Sequence, residues 1–231
     1  MPPVELDLHR VPGHVAIVIE DGGHGGGHTA LVDVVDGALA IGLRWLTVDA
    51  LPAHRWCRPL DEVQELLDLY ERVLLDRRDE FHARGVRIRC IGHRDTRLPR
   101  RLQRVIEATE AMTAANHGMT LTLAIDYDGR TELADAVAAM TAAVRAGTIR
   151  RGAIDEDAVA AHLYAPDLPD PDLLVRTGGD TRTASFLVWQ TAYSEFVFTD
   201  TRWPDFRRED LFAAVAEFQR RERRFGAIDD S

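Results

Sequence analysis

Six short apolar runs, rich in Val, Ile, Leu and Thr, alternate along this chain with longer segments of helical spacing. That alternation marks parallel β-strands joined by crossover helices, because parallel neighbours cannot be connected by a tight hairpin. The runs are His14–Ile19, Trp45–Asp49, Val86–Ile91, Thr120–Tyr127, Leu173–Arg176 and Glu195–Phe198. Helical patterns cover Ala30–Gly42, Leu60–Arg84, Pro99–His117, Glu132–Ala146, Asp155–His162, Phe186–Tyr193 and Arg208–Arg223. The segment from Leu60 is the clearest, with Val63, Leu66, Leu67, Tyr70, Val73 and Leu74 on one face. Asp155 reads as an N-cap, and Gly42, Gly85, Gly118 and Gly147 as helix stops. The reading is a single α/β domain over residues 1–231, with a mainly parallel six-stranded sheet flanked by helices. Parallel sheets place ligands at the carboxyl ends of their strands. The loops after residues 19, 49, 127 and 176 are therefore where chemistry is expected.

Composition narrows the function. The 231 residues are 45% hydrophobic, enough for one folded core, and no apolar run approaches the ~20 residues that span a bilayer. No secretory leader is expected, and two cysteines, Cys57 and Cys90, suit a reduced, cytoplasmic setting. The net charge of −10 argues against a general nucleic-acid binder. All 28 basic residues are arginine. The chain therefore has no lysine for a Schiff base, a P-loop or general-base work, and any anion site must use arginine, histidine or backbone N–H groups.

Three constellations carry candidate chemistry. Glu20-Asp21-Gly22-Gly23-His24 ends the first strand with two carboxylates and a glycine-rich loop that leads into a helix N-terminus. Such a loop suits a phosphate and its Mg²⁺. A flexible turn with surface histidines fits the same residues, and His24 with His28 has the spacing of a transition-metal pair. Arg176-Thr-Gly178-Gly179-Asp180-Thr-Arg182, followed by Ser185, sets two guanidinium forks around a glycine turn, a pattern that matches phosphate oxygens. The plainer alternative is a pair of surface arginines bridged to Asp172 and Asp180. Glu195 interrupts an apolar strand, where a carboxylate is costly unless paired with an arginine or bound to metal. The terminal Arg220–Arg224 run reads as a solvated helix face, and its continuation Arg224-Phe225-Gly226 could instead reach into a site.

Taken together, these segments resemble the cis-prenyltransferase family. The resemblance runs from His14–Ile19 through Trp56-Cys-Arg58-Pro59 and Asp126-Tyr127-Asp-Gly129-Arg130. It continues through Arg176-Thr-Gly-Gly-x-x-Arg182, Phe186-Leu-Val-Trp189-Gln190, Tyr193-x-Glu195, Phe198-Thr-Asp200 and Trp203-Pro-Asp205-Phe206, to Arg221-Glu-Arg-Arg224-Phe-Gly226. It implies a homodimer or heterodimer with a hydrophobic tunnel that joins isoprenoid diphosphates with Mg²⁺. It further implies that Arg176 and Arg182, with Gly178, Gly179 and Ser185, hold a diphosphate, and that Arg224 and Gly226 complete the neighbouring subunit's site. Glu20, Asp21 and Glu195 become the metal ligands, and Glu20, Asp21 and His24 the catalytic groups. The helix from Leu60 and the strand Val86–Ile91 are expected to line the tunnel.

The departures from the family fall on the first loop. Gly23-His24-Gly-Gly-Gly27 fits the family's G-H-x-x-G, but the D-G-N-G-R-W segment and the dozen residues after it are nearly absent. Glu20, or Asp21 with a slip of one, takes the aspartate's place. The family's S-S-E-N-W becomes Pro52-Ala53-His54-Arg55-Trp56, and a later serine becomes Ala184. Arg55 and His54 could rebuild part of the lost anion site. Two functions follow. One is a divergent enzyme that condenses an allylic with a C5 diphosphate, or ionises and cyclises a prenyl diphosphate. The other is a catalytically silent subunit of a heteromeric enzyme. Either would meet membranes only peripherally, through a lipid product.

Overall fold

The computed structural model describes residues 5–20, 27–93, 97–150 and 152–221. Six strands form one sheet: β1 (His14–Val18), β2 (Trp45–Pro52), β3 (Arg87–Ile91), β4 (Thr120–Tyr127), β5 (Leu173–Arg176) and β6 (Glu195–Phe198). Their order is β3-β4-β2-β1-β5-β6, and every pairing is parallel. The helices are α1 (Gly27–Ala40), α2 (Leu60–Ala83), α3 (Arg100–Thr113), α4 (Gly129–Arg145), α5 (Glu156–Ala160) and α6 (Arg208–Arg220). From β1 the chain adds β2, then the edge strand β3, returns to insert β4 between them, and places β5 and β6 on the other side of β1. The carboxyl ends of β1 and β5 therefore form the crevice where doubly wound sheets bind ligands.

Strand residues alternate between two cores, as the two-residue period requires. Val15, Ile17, Val48, Leu121 and Val175 face the larger core with α1, α2, α3 and α6. Ala16, Val18, Ala124 and Leu174 face a smaller one with Tyr127, Leu168, Phe186 and Leu187. β1 and β4 are buried at every position, which is why they read as continuous apolar runs. The inward face of α2 packs with α3 and the sheet in the larger core.

Most expected elements form within a few residues of their sequence limits. Asp155 caps α5 by accepting from the Ala158 N–H at 2.9 Å. The segment Phe186–Tyr193 forms successive turns in place of the expected helix. Leu187 is fully buried with φ +46°, held while the Gly129 N–H donates to the Ser185 carbonyl at 2.7 Å. That backbone conformation cannot continue a right-handed helix. α3 stops at Thr113, four residues before His117. The Thr113 hydroxyl oxygen accepts from the Ile88 N–H at 3.0 Å, and the Asn116 amide donates to the Val86 carbonyl at 2.7 Å, so the chain is turned toward β3. β2 runs on to Pro52, and a 3₁₀ turn at Ala53–Cys57 follows where only a loop was expected.

At the amino end of the sheet, His14 is 1% exposed between the Pro169 carbonyl (2.7 Å) and the Thr47 hydroxyl (2.8 Å). Burial lowers its pKa to about 4. The folded state thus keeps it neutral while the unfolded chain protonates it below about 6.5. Its contribution is complete above pH 6.5 and is lost as pH falls toward 4, about 3 kcal/mol in all. Urea midpoints measured at pH 7, 5.5 and 4 are expected to fall in that order, with a shallower fall in His14→Gln.

Candidate active site

The carboxyl ends of β1, β2, β4 and β5 surround a cleft of about 340 Å³. Each wall follows from a strand ending there. β1 delivers Glu20, two residues past its last paired position. β2 delivers Asp49 and, through the 3₁₀ turn, His54 and Arg55. β4 delivers Tyr127 and Asp128, and β5 ends on Arg176. The Trp56 indole donates to Asp126 Oδ1 at 2.7 Å, which fixes the Arg55 turn against the end of β4.

Three charged groups converge here. Arg55 and Arg176 are 2% and 6% exposed, and both approach the Glu20 carboxylate, at 3.8 and 4.0 Å. Arg176 Nη2 also donates to Asp180 Oδ2 at 2.8 Å. Its Nε and Nη1 are buried without a hydrogen-bond partner among the described residues. Buried guanidinium donors left unmet are costly, so the arrangement calls for an oxygen-rich anion. Burial, followed by the charge of Arg55, lowers the pKa of His54 at the rim.

Asp180 and Arg182 divide the second constellation. Arg182 has an 86% exposed side chain and is held by Asp180 through Nη2 at 2.9 Å. Hydrogen bonds from Arg182, then from Arg176, keep the Asp180 carboxyl well below the usual carboxylate range. This matches the plainer alternative in part, since both arginines bridge to Asp180. Asp172 is instead engaged elsewhere, accepting the Gly13 and His14 N–H groups at 2.8 and 3.2 Å.

Gly178 and Gly179 shape the turn. Their N–H groups donate to the carbonyls of Thr201 and Thr199, both at 2.9 Å, so these donors are spent inside the fold. Gly178 has φ +86°, and a Cβ there would lie 2.5 Å from the Cβ of Glu20. The missing side chain lets the arginine turn and the Glu20 backbone pack together. Gly178→Ala is expected to displace Glu20 and lower turnover by at least about tenfold, on the scale of positional errors in a site. Initial rates, with circular dichroism as a check on folding, would test this.

The remaining expected residues are scattered. Ser185 lines the cleft, and its Oγ accepts from the Arg130 N–H at 3.3 Å. Asp21, His24, Arg224 and Gly226 lie outside the described residues. Glu195 lies away from this cleft within one chain. It begins β6, in register with Leu173, while Arg176 pairs with Phe198 at the other end. At 3.3 Å per residue, Glu195 stands roughly 10 Å below the level of Arg176. There its Oε2 accepts from Arg221 Nη1 at 3.2 Å. Within one chain it meets an arginine.

With the geometry in hand, comparison with known proteins is informative. The family model described as putative undecaprenyl diphosphate synthase matches residues 18–226. The chain belongs to the cis-prenyltransferase family. This cis-prenyltransferase is 39% identical, over 240 residues, to the trans,polycis-polyprenyl diphosphate synthase ((2Z,6E)-farnesyl diphosphate specific) of Thermobifida fusca (strain YX), covering 98% of this chain and 85% of the relative. It is 37% identical to the decaprenyl diphosphate synthase of Mycobacterium leprae (strain TN), covering 96% and 79%. Among solved structures it is similar to lavandulyl diphosphate synthase from Lavandula x intermedia in complex with dimethylallyl diphosphate, with a TM-score of 0.90, 33% identity and coverage of 94% and 99%. A probable undecaprenyl diphosphate synthase from Campylobacter jejuni matches with a TM-score of 0.80 and 28% identity, covering 93% and 98%. The chain is accordingly a prenyltransferase of parallel α/β fold.

Sequence reasoning missed two features of this cis-prenyltransferase. One is Asp49, visible only as a single acid inside the apolar run Trp45-Leu-Thr-Val-Asp49-Ala-Leu51. The other is the buried carboxylate Glu132 behind the cleft. It accepts from the Tyr127 hydroxyl (2.5 Å), the Gln190 amide (3.2 Å) and the Tyr164 N–H (2.9 Å). Nothing in the local sequence marks it.

Proposed function

We propose that this cis-prenyltransferase acts on small isoprenoid diphosphates with Mg²⁺, condensing an allylic diphosphate with a second C5 unit. The observation that carries this reading is Arg176, buried at the carboxyl end of β5 with two unmet donors and lining the same cleft as Arg55 and Glu20. Two guanidinium groups neutralise much of a diphosphate's charge, and their fixed positions orient the carbon–oxygen bond that must break. Arg55 takes over part of the work of the missing first loop, and His54 adds a ring nitrogen at the rim. Support for an allylic C5 substrate comes from the structural neighbour solved with dimethylallyl diphosphate.

The donor set suits magnesium. Among the described residues no group of three or more His, Cys, Asp or Glu forms a ready-made cage. Mg²⁺ commonly takes one or two carboxylates and completes its shell with substrate phosphates and water. Glu20 would hold it, with Asp21 beside it in the sequence. When bound, the ion supplies positive charge against the diphosphate as it departs. Arg176, Arg55 and the depth of the cleft do the rest, binding the anion and keeping water from the allylic carbon.

Pairing of two chains fits the exposed outer edge of the sheet. β6 has a single neighbour, Tyr193 is 91% exposed, and Phe196 and Phe198 stack at 6.2 Å. Whether the pair is homomeric or joins a related subunit is decided by the same experiment as the activity. Purified protein would be incubated with Mg²⁺ and dimethylallyl, geranyl or farnesyl diphosphate, with and without isopentenyl diphosphate, and products read by mass spectrometry. A new prenyl product that disappears with chelator is the expected result. No turnover across the panel, with activity appearing only when a homologue is added, would overturn it in favour of the silent subunit.

A further inference from the structure

Asp49 is a buried carboxyl in a cleft built for an anion. It stands on β2 level with Val18 of β1, is 3% exposed, and lines the cleft with Arg55 and Arg176. Its Oδ1 has no hydrogen-bond partner among the described residues. A charged carboxylate here would repel the diphosphate that the two guanidinium groups attract. A neutral carboxyl would instead donate a hydrogen bond to it.

The surroundings favour the neutral form. Burial pushes the Asp49 carboxyl up to about 8 against the pull of Arg55 and Arg176, and the carboxylates of Asp128 and Glu20 push the same way. Tyr127, on the β4 wall, is itself held protonated by burial and by Glu132. At neutral pH Asp49 therefore carries a proton on a site-facing acid, poised near the working range of a general acid.

We propose, resting on the prenyl-transfer reading of this cleft, that Asp49 is the proton donor to the leaving diphosphate. As the allylic carbon–oxygen bond breaks, its electron pair stays on the diphosphate oxygen and the carboxyl proton passes to the diphosphate. Asp49 is left as a carboxylate, stabilised by Arg55 and Arg176. The allylic carbon then bonds to the double bond of the second substrate. The cation so formed loses one proton, and return of a proton to Asp49 restores the starting state. No oxidant or further reactant is needed.

The test is a pH profile of turnover from pH 6 to 10 for the wild type and Asp49→Asn, with binding of inorganic diphosphate measured by calorimetry on both. The wild-type rate should fall about tenfold per pH unit above about 8, as the acid is lost. Asp49→Asn keeps a neutral, hydrogen-bonding side chain. It should bind inorganic diphosphate within about threefold of wild type yet lose at least about a hundredfold in turnover, with no alkaline limb near 8. Retained binding also reports that the variant is folded. An Asn variant within tenfold of wild type, or a limb that persists in it, would overturn the acid role. A wild type that turns over no substrate would overturn the prenyl-transfer reading and the acid step together. The two failures are distinct, since loss of the acid role alone leaves wild-type turnover intact, whereas failure of the prenyl-transfer reading abolishes it.

Discussion

Replacing Arg176 by alanine is expected to weaken binding of inorganic diphosphate by about ten- to a hundredfold, and to lower turnover by a further ~10²–10³. The first figure is the scale of one lost charge-assisted hydrogen-bonding partner, about 1.5–3 kcal/mol. The second is the scale for removing a preorganised donor from a developing anion. Arg176 stands at this extreme because it is buried at the strand end, with Nε and Nη1 unmet and Glu20 and Asp180 beside it. Its loss removes a guanidinium from the cleft wall and leaves two carboxylates there with less opposing charge. Arg176→Lys should recover little, because an ammonium cannot reproduce the fork. Arg182→Ala provides the contrast. The sequence suggests the same large effect for both arginines, but Arg182 is exposed and already held by Asp180. Its removal should change the dissociation constant by less than about fivefold, the range of exposed ion pairs. Calorimetric titration of the three variants tests the ranking, and equal losses in Arg176→Ala and Arg182→Ala would refute the assignment of Arg176 as the principal anchor.

The second large effect is on stability. Glu132 is 1% exposed and accepts three donors, from Tyr127, Gln190 and Tyr164. Glu132→Ala strands all three at once, which should cost about 3–5 kcal/mol. For a domain of this size that lowers the melting temperature by roughly 6–20 °C. Glu132→Gln keeps one acceptor oxygen but brings an amide against at least one existing donor, so about half the loss is expected. Tyr127 lines the cleft, so the alanine variant should also lose turnover below its melting point. A scanning-calorimetry shift under about 2 °C would show that these contacts do not hold the wall in place.

How much of this was legible beforehand differs from residue to residue, for physical reasons. The strands were readable because β1 and β4 are buried on both faces and leave unbroken apolar runs. The Arg176–Arg182 turn was readable because its glycines and arginines act within one short segment. Phe186–Tyr193 misled because its local spacing is helical, while the Gly129–Ser185 hydrogen bond and the burial of Leu187 impose another backbone. Asp49 could be seen as an oddity in a strand, but its protonation depends on burial by elements far away in sequence. Glu195 was legible as a carboxylate in an apolar strand, but its place relative to the cleft was not. A carboxylate that opens a parallel strand faces the amino end of the sheet, and that register alone separates it from a cleft at the other end.

The central place of β1 has a consequence for how this protein comes into being. β1 leaves the ribosome before both of its partners, β2 and β5, and β5 lies about 150 residues further on. At synthesis rates of 5–20 residues per second, one edge of β1 waits roughly 8–30 s for its mate. Throughout that interval an apolar strand with an open edge is presented to the cell, an invitation to misassembly that closes only when the segment bearing Arg176 arrives. The residue proposed to anchor the ligand and the strand that covers the second edge of β1 are thus delivered together, so the candidate site and the closing of that edge share one moment in the life of the chain.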